Sequence, residues 1–550
     1  MRVLWYNVSM KNEKTYAELL AENKRLSDEK TKLVDEKAKL EKRVKVLEQI
    51  NHWLKEQQRL ALRRRFGQSS DSSTLPGQLS LFNEAEATGT ITKDAEEVSD
   101  TAAVSHKRKK RKRADLFDGL PTEQVIHELP PEERACPCCN NEMHPCGKDV
   151  LRKEIEVIPA QIKVKEHVQV VYSCRKCEQS ASETPMTLIK SKVPEPVIKG
   201  SGIVSPSLMA LILCNKYLLA LPLHRQEKDF ERLGLRISRQ SMANWVIYAA
   251  FKRLMPIYER LRDELLTNDI LHADETTVQV MVEEGREAKQ KSYMWTYLTG
   301  RHAKNQVALF EYQPTRQAKH PVSFLEGFSG YLHADAYGGY RCLEEQGVTI
   351  TGCWAHARRK FNDALNSCAS ENRAGSLAYT GRTFCDKLFA LEREFDDKKF
   401  TLEERQAARL QKSKPVADEF FKWAESTLSQ QTSKTSLYTA LAYAINQREY
   451  LSNFLADPRL ELSNNRAERA IRPFVIGRKN WLFSHSATGA EASAVAYTIV
   501  ETALANGLVP FEYFKFIFIN LHNINIYNLD CFLPWSNKAK ISCSLNRLQI

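Results

Sequence analysis

The tetrapeptide Leu-His-Ala-Asp occurs twice, at Leu271–Asp274 and Leu332–Asp335, each time in a short apolar run that reads as a β-strand or its end. A strand aspartate constrains the fold strongly, because a carboxylate in or beside a sheet must be met by a cation or by hydrogen-bond donors. A third acid, Glu468, lies in Ser463-Asn464-Asn465-Arg466-Ala467-Glu468-Arg469, where a Ser or Asn can cap the start of a helix. Two strand aspartates and a helix glutamate can converge although far apart in sequence. Asp274, Asp335 and Glu468 would then form a hard oxygen donor set suited to two Mg²⁺ ions, with Mn²⁺ as an alternative. Such a pair performs in-line displacement at phosphorus.

The surrounding pattern predicts what carries these acids. Strands are expected at 270–280, 292–299, 306–312, 330–335 and 348–354, the first three as a meander. That order fits a mixed sheet of the ribonuclease H type within a multidomain α/β chain. A charged helical stretch between Ala355 and Pro458 reads as an insertion, after which Glu468 returns the chain to the sheet. Asn465, Glu468 and Arg472 share one side of that helix. Arg469, Arg472, Arg478 and Lys479 surround it with cations that suit a phosphate backbone, and Pro473 is expected to end the helix. Gly338 and Gly339 allow a sharp exit after Asp335, while His272 and His333 read as packing or supporting groups. In Cys353-Trp354-Ala355-His356-Ala357-Arg358, His356 and Arg358 could handle the scissile phosphate or a flipped base, and Trp354 offers a stacking surface. Cys353 and His356 are also an alternative metal-ligand pair.

Upstream, Leu19, Leu26, Leu33, Leu40, Leu47 and Leu54 recur every seven residues in a Lys/Glu-rich segment, predicting a self-associating coiled coil over 12–66. Its other core positions (Asn23, Lys30, Lys37, Val44, Asn51) are mostly polar, a pattern that sets register at a cost in stability. Residues 67–115 read as a disordered linker. It contains seven consecutive cations, Lys107-Arg108-Lys109-Lys110-Arg111-Lys112-Arg113, which stay extended until phosphates neutralise them. Cys136/Cys139 and Cys174/Cys177 are two C-x-x-C pairs able to close one tetrahedral structural Zn²⁺, with alternating apolar residues from Ile155 to Val170 between them. This predicts a zinc ribbon over 125–185. Residues 195–265 read as helical: an amphipathic stretch stops at Gly234, and a second helix opens at Ser238 with Arg239 and Gln240. That is the order of a helix-turn-helix, whose second helix meets base edges.

The chain has 550 residues and a formal net charge of +12, which favours a polyanionic partner because the cations cluster. No signal-peptide h-region or membrane-spanning run is expected, so the protein reads as cytoplasmic, associated with the nucleoid when bound to DNA. In a reducing compartment the thirteen cysteines are better metal ligands or buried thiols than disulfides.

Together, Cys136-x-x-Cys139 and Cys174-x-x-Cys177, Leu271-His272-Ala273-Asp274-Glu275-Thr276, His333-Ala334-Asp335-Ala336-Tyr337, Cys353 to Phe361, and Asn464-Asn465-Arg466-Ala467-Glu468-Arg469 resemble the transposases of the IS66 family of bacterial insertion sequences. The resemblance runs from the coiled coil to about Trp535. It implies a DDE transposase that nicks transposon ends and joins the 3′ hydroxyl to target DNA, with Mg²⁺ at Asp274, Asp335 and Glu468. Its catalytic domain would span 266–512 with the insertion at about 362–457, leaving a tail at 513–550. The implied partners are double-stranded DNA, a second copy of the chain and element-encoded accessory proteins. Two other readings are a transposase-derived DNA-binding regulator without catalysis and a metal-dependent nuclease without strand transfer.

Overall fold

The computed structural model describes residues 16–66, 162–172, 189–191, 193–368, 373–520 and 526–544. The four candidate zinc cysteines, the basic run Lys107–Arg113 and the linker 67–115 lie outside them. Among the described residues no helix is long and apolar enough to cross a membrane. Two compact units emerge.

The first, the helical unit, holds α1 (Tyr16–Phe66), His333–Ala336 and Ile350–Asn465. The heptad segment forms α1 as one continuous helix, and Leu26, Leu33, Leu40, Leu47 and Leu54 each keep more than half of their surface exposed. Ile350–Asn465 supplies the unit's other helices, which lie late in the chain: α7 (Trp354–Ser367), α8 (Leu377–Asp397), α9 (Leu402–Ala408), α10 (Lys414–Leu428), α11 (Ser436–Asn446) and α12 (Arg448–Ser452). Their starts are encoded locally: the side chains of Ser376, Thr401 and Thr435 accept from Tyr379, Glu404 and Tyr438 N–H groups, with Glu404 completing a capping box. The core of these helices is aromatic, with Trp354 packed on Phe420, Phe421 and Phe454.

The second, the sheet unit, comprises the described residues of 94–332, with Tyr337–Thr349 and those from Arg466 onward. It opens with a small antiparallel pair, β1 (Val171–Tyr172) and β2 (Ile189–Lys190). The expected alternating strands before it are absent from 162–170: Val164 and Val168 are almost fully exposed and unpaired by any described strand. Alternation makes a strand only when one face finds a partner. Next come α2 (Pro206–Leu213), α3 (Leu223–Arg232), α4 (Arg239–Ala249) and α5 (Met255–Leu266). The turn between α3 and α4 needs Gly234 at φ +83°, and Ser238 caps α4 by accepting from Ser241 N–H at 3.1 Å.

The strands that follow are β3 (Ile270–Val282), β4 (Lys291–Thr299), β5 (Ala308–Gln313), β6 (Tyr331–His333), β7 (Thr349–Thr351) and β8 (Ser484–Ser486), with α6 (Lys319–Phe324) after β5. The sheet order is β5-β4-β3-β6-β7, and β8 also pairs with β3. β3–β4 and β4–β5 are antiparallel and β8 is parallel to β3, so the sheet is mixed. β6 and β7 start in this unit and hand their last residues to the helical one. The closing helices are α13 (Asn465–Trp481), α14 (Ala487–Ala505), α15 (Pro510–Asn520) and α16 (Asn537–Cys543). Strand β5 is sealed by α14, because the Thr498 and Thr502 hydroxyls accept from Phe310 and Ala308 N–H groups at 2.9 and 3.1 Å. This gives a free strand edge hydrogen-bond partners without another strand.

Pro473 does not end its helix: α13 runs through it to Trp481. Ile471, Phe474 and Val475 are buried on either side, and that packing outweighs the hydrogen bond a mid-helix proline removes, a loss of about 3 kcal/mol. Part of the tail is also folded. Tyr513 hydroxyl donates to Phe532 carbonyl at 2.7 Å, and Phe514, Ile517, Phe518, Leu533 and Cys543 are buried.

Candidate active site

In the sheet unit Asp274 sits midway along β3, opposite Thr296 of β4, and its Oδ1 accepts the Glu275 N–H at 2.9 Å. Glu468 lies in the first turn of α13, where the helix dipole favours a carboxylate, and is only 4% exposed. Three contacts fix α13 against the sheet. Ala467 packs on Leu298 and Ala308, Arg466 Nε donates to Thr299 carbonyl at 3.1 Å, and Arg478 Nη1 donates to the hydroxyls of Thr276 and Thr277 at 3.2 Å each. Leu298 is paired with His272, so the start of α13 lies level with the residues just before Asp274 and its end lies beyond it. Helix and strand therefore run side by side in the same direction, and six residues after Arg478 the chain joins β3 at Val280 as β8. Gly477 leaves room on α13 for the Trp481 ring of the same helix and for Tyr497 of α14, since a Cβ there would stand 2.1 Å from the Trp481 ring and 2.6 Å from the Tyr497 hydroxyl.

Glu275, for which the sequence pattern suggested no role, anchors a polar network beside Asp274. Its side chain is 2% exposed; it accepts from Arg316 Nε at 2.8 Å and from Tyr340 hydroxyl at 2.6 Å. Arg316 in turn covers the Tyr337 ring at 4.1 Å. The network ties the turn after β5 to the segment Tyr337–Tyr340 that follows Asp335. Its only sequence signal was an acid directly after a strand aspartate.

In the helical unit Asp335 is half-buried two residues past the end of β6. His333 is fully buried and its Nε2 accepts the Glu461 N–H at 3.2 Å, which fastens β6 to the segment entering α13. Cys353 Sγ accepts from Asn464 N–H at 3.1 Å, a second tie to that segment. His356, in the first turn of α7, has its pKa lowered to about 3 by burial and by Arg359 and Lys360, so its imidazole is neutral near pH 7. Two expectations change in this unit. Trp354 offers no stacking surface: it is fully buried and its Nε1 donates to Leu451 carbonyl at 2.8 Å. Arg358 is ion-paired with Asp386, which also meets Arg382 at 3.4 Å.

The candidate residues thus fall in two sets. Asp274, Glu468 and Arg478 lie on neighbouring elements of the sheet unit, with Arg469 and Lys479 exposed and Arg472 half-buried on the same helix. Asp335, His356 and Arg358 belong to the helical unit. Arg239 and Gln240 are exposed at the start of α4. Carboxylates are hard ligands that suit Mg²⁺ or Mn²⁺, and a buried acid such as Glu468 needs a cation or donors to offset its desolvation. The donor chemistry therefore fits a divalent ion. The four cysteines have the donor chemistry of zinc.

Comparison with known proteins gives the family. Residues 201–492, which include all three acids, match the family model described as Transposase IS66 family. Residues 133–178, which include the four cysteines, match the zinc-finger binding domain of transposase IS66. Residues 53–125 match a model described as Transposase C of IS166 homeodomain. Similar curated proteins include Uncharacterized protein y4hP of Sinorhizobium fredii, 28% identical over 451 residues, covering 79% of this chain and 78% of that protein. Uncharacterized protein y4qI of the same organism is 28% identical over 475 residues, 84% of each chain. With a family match spanning more than half of its residues, the chain belongs to the IS66 family of transposases.

Proposed function

We propose that the protein is a DNA transposase that binds the terminal repeats of an insertion sequence, cleaves the DNA strand and joins its 3′ end to target DNA. Asp274, Asp335 and Glu468 would hold two Mg²⁺ ions. When bound, these would polarise the attacking water or 3′ hydroxyl and stabilise the leaving oxygen. The chain's own groups prepare that step. Arg466 locks the first turn of α13 and with it Glu468, Glu275 holds Arg316 and the Tyr337–Tyr340 segment, and the cations of α13 neutralise the phosphate backbone. Arg358, engaged with Asp386, is left out of this set.

The observation that carries the reading is the side-by-side run of β3 and α13, which brings a strand aspartate and a buried helix glutamate to one side of a mixed sheet, inside the segment matching the transposase family. The three-stranded meander followed by β6 and β7, with Asp274 on the central strand β3, supports a ribonuclease H type of core. Grip on the DNA ends is assigned to the zinc ribbon with Cys136, Cys139, Cys174 and Cys177, to Arg239 and Gln240 of α4, and to Lys107–Arg113. The exposed leucine stripe of α1 would pair two copies, holding both ends together.

The test is Asp274→Asn: it should bind end DNA as tightly as the wild type while cleavage with Mg²⁺ disappears. Cleavage that survives the change would sink the assignment. Binding without cleavage in the wild type would favour the regulator reading.

A further inference from the structure

In the sheet unit the end of α13 and the β3–β4 hairpin enclose a cleft of about 430 Å³, lined in part by Gln279, Lys289, Gln290, Lys291, Arg478 and Lys479. No acidic side chain lines it. Arg478 is half-buried, and its hydrogen bonds are to the hydroxyls of Thr276 and Thr277. No carboxylate pairs with it among the described residues, and burial lowers its pKa. A guanidinium held in place by neutral hydroxyls keeps its charge and its remaining donors for an outside anion. Lys291 likewise has no ion pair among the described residues. Lys289 meets Glu287 at 2.8 Å, but both side chains are largely exposed, and such a pair exchanges readily for a phosphate. Gln279 Nε2 donates to Ala288 carbonyl at 3.0 Å, which fixes the root of the hairpin that carries both lysines.

Volume and position narrow the ligand. A cleft of this size suits one small polar unit rather than a protein segment. Thr277 is three residues along β3 from Asp274, about 10 Å at roughly 3.3 Å per residue. The strand spacing of about 3.4 Å is a rise along the duplex axis and successive phosphates stand farther apart than that, so this distance spans fewer than three phosphate steps.

We propose that this cleft is a phosphate-binding site for one strand of the DNA substrate, engaging it within about three nucleotides of the reacting phosphate, with Arg478 as anchor and Lys289 and Lys291 closing over it from the hairpin. The proposal rests on Asp274 being catalytic and adds the path of the strand. No base is read, so the contribution should be independent of sequence.

The test uses the full chain and a fluorescein-labelled duplex, with affinity followed against salt. Arg478→Gln should flatten the log–log salt slope by about one, and Lys289→Gln with Lys291→Gln by about two, equally on unrelated sequences. The hairpin variants change exposed residues, so they report even where Arg478→Gln impairs folding. Gln290→Cys should form a disulfide with DNA bearing a thiol tether within three phosphates of the cleaved end, and not with tethers far from it. Unchanged slopes in the hairpin variants, or crosslinking indifferent to tether position, would overturn the proposal. So would inorganic phosphate stabilising the wild type but not Arg478→Gln while the DNA slopes stay equal, since that assigns the cleft to a free anion. Flattened slopes without Mg²⁺-dependent cleavage would instead leave the cleft standing and remove the transposase reading.

Discussion

Two arginines, one in each unit, are held differently. In the helical unit Arg409 is 1% exposed, and its guanidinium meets Glu392 at 2.7 Å and the carbonyls of Phe454, Asp457 and Leu460 at 2.8–3.1 Å. Arg405 shares Glu392 at 2.7 Å and also pairs with Asp396. In the sheet unit Arg478 meets two hydroxyls. An ion pair with all its donors used is a structural device whose desolvation is offset internally. A half-buried charge without such a partner leaves the offset to a ligand. Arg409 thus marks architecture, while the half-buried Arg478 marks a binding face.

The sharpest way to break that contrast is to remove each arginine. Arg409→Leu leaves three carbonyls without their donor and Glu392 with Arg405 alone, and should cost about 3–5 kcal/mol of stability. Arg478→Gln, measured by the same urea unfolding, should cost about 1–2 kcal/mol, since only the two bonds to hydroxyls are lost and no buried carboxylate is left unpaired. Equal losses would abolish the distinction. A loss smaller than that of Arg409→Leu is expected from Gly477→Ala: the added methyl meets Trp481 and Tyr497, an overpacking worth about 1–3 kcal/mol. It should also lower DNA cleavage by shifting α13; full cleavage with unchanged stability would mean that the close approach at Gly477 does not matter.

The two units also contrast in pH dependence, which has opposite signs in them. Burial pushes Glu311 and Glu501 of the sheet unit up to about 7 from an ordinary 4.5. Their contribution to stability is fully present below 4.5 and is lost as pH rises through about 7. His356 of the helical unit, lowered to about 3, contributes stability above its ordinary 6.5 that is lost as pH falls through about 3. Pulse proteolysis with mapped cuts should show the sheet unit weakening toward neutral pH and the helical unit toward acid. Glu311→Gln should flatten the sheet unit's profile, and an unaltered profile would reject this cause.

Much of the fold was legible locally. Strand positions followed from two-residue alternation and capping from Ser238, while the heptad leucines predicted the long helix α1. What failed depended on distant partners. Pro473 carries a strong local stop signal, but buried neighbours on both sides hold the helix together through it. Trp354 reads equally well as a stacking surface or as core, and only Phe420, Phe421 and Phe454 decide for core. Arg358 and Arg478 look alike as basic residues beside motifs; one finds Asp386 and the other does not.

The sequence by itself determined the kinds of element, the places of Asp274, Asp335 and Glu468 along the chain, and the family, because these are carried by periodicity and by ordered short motifs. The tertiary structure alone decided which cations are already neutralised, that Glu275 rather than a histidine organises the polar network beside Asp274, and that α13 runs along β3 to form a basic cleft. The physical reason is that neutralisation, burial and cleft formation belong to pairs of residues brought together across hundreds of positions, and no local pattern encodes the partner.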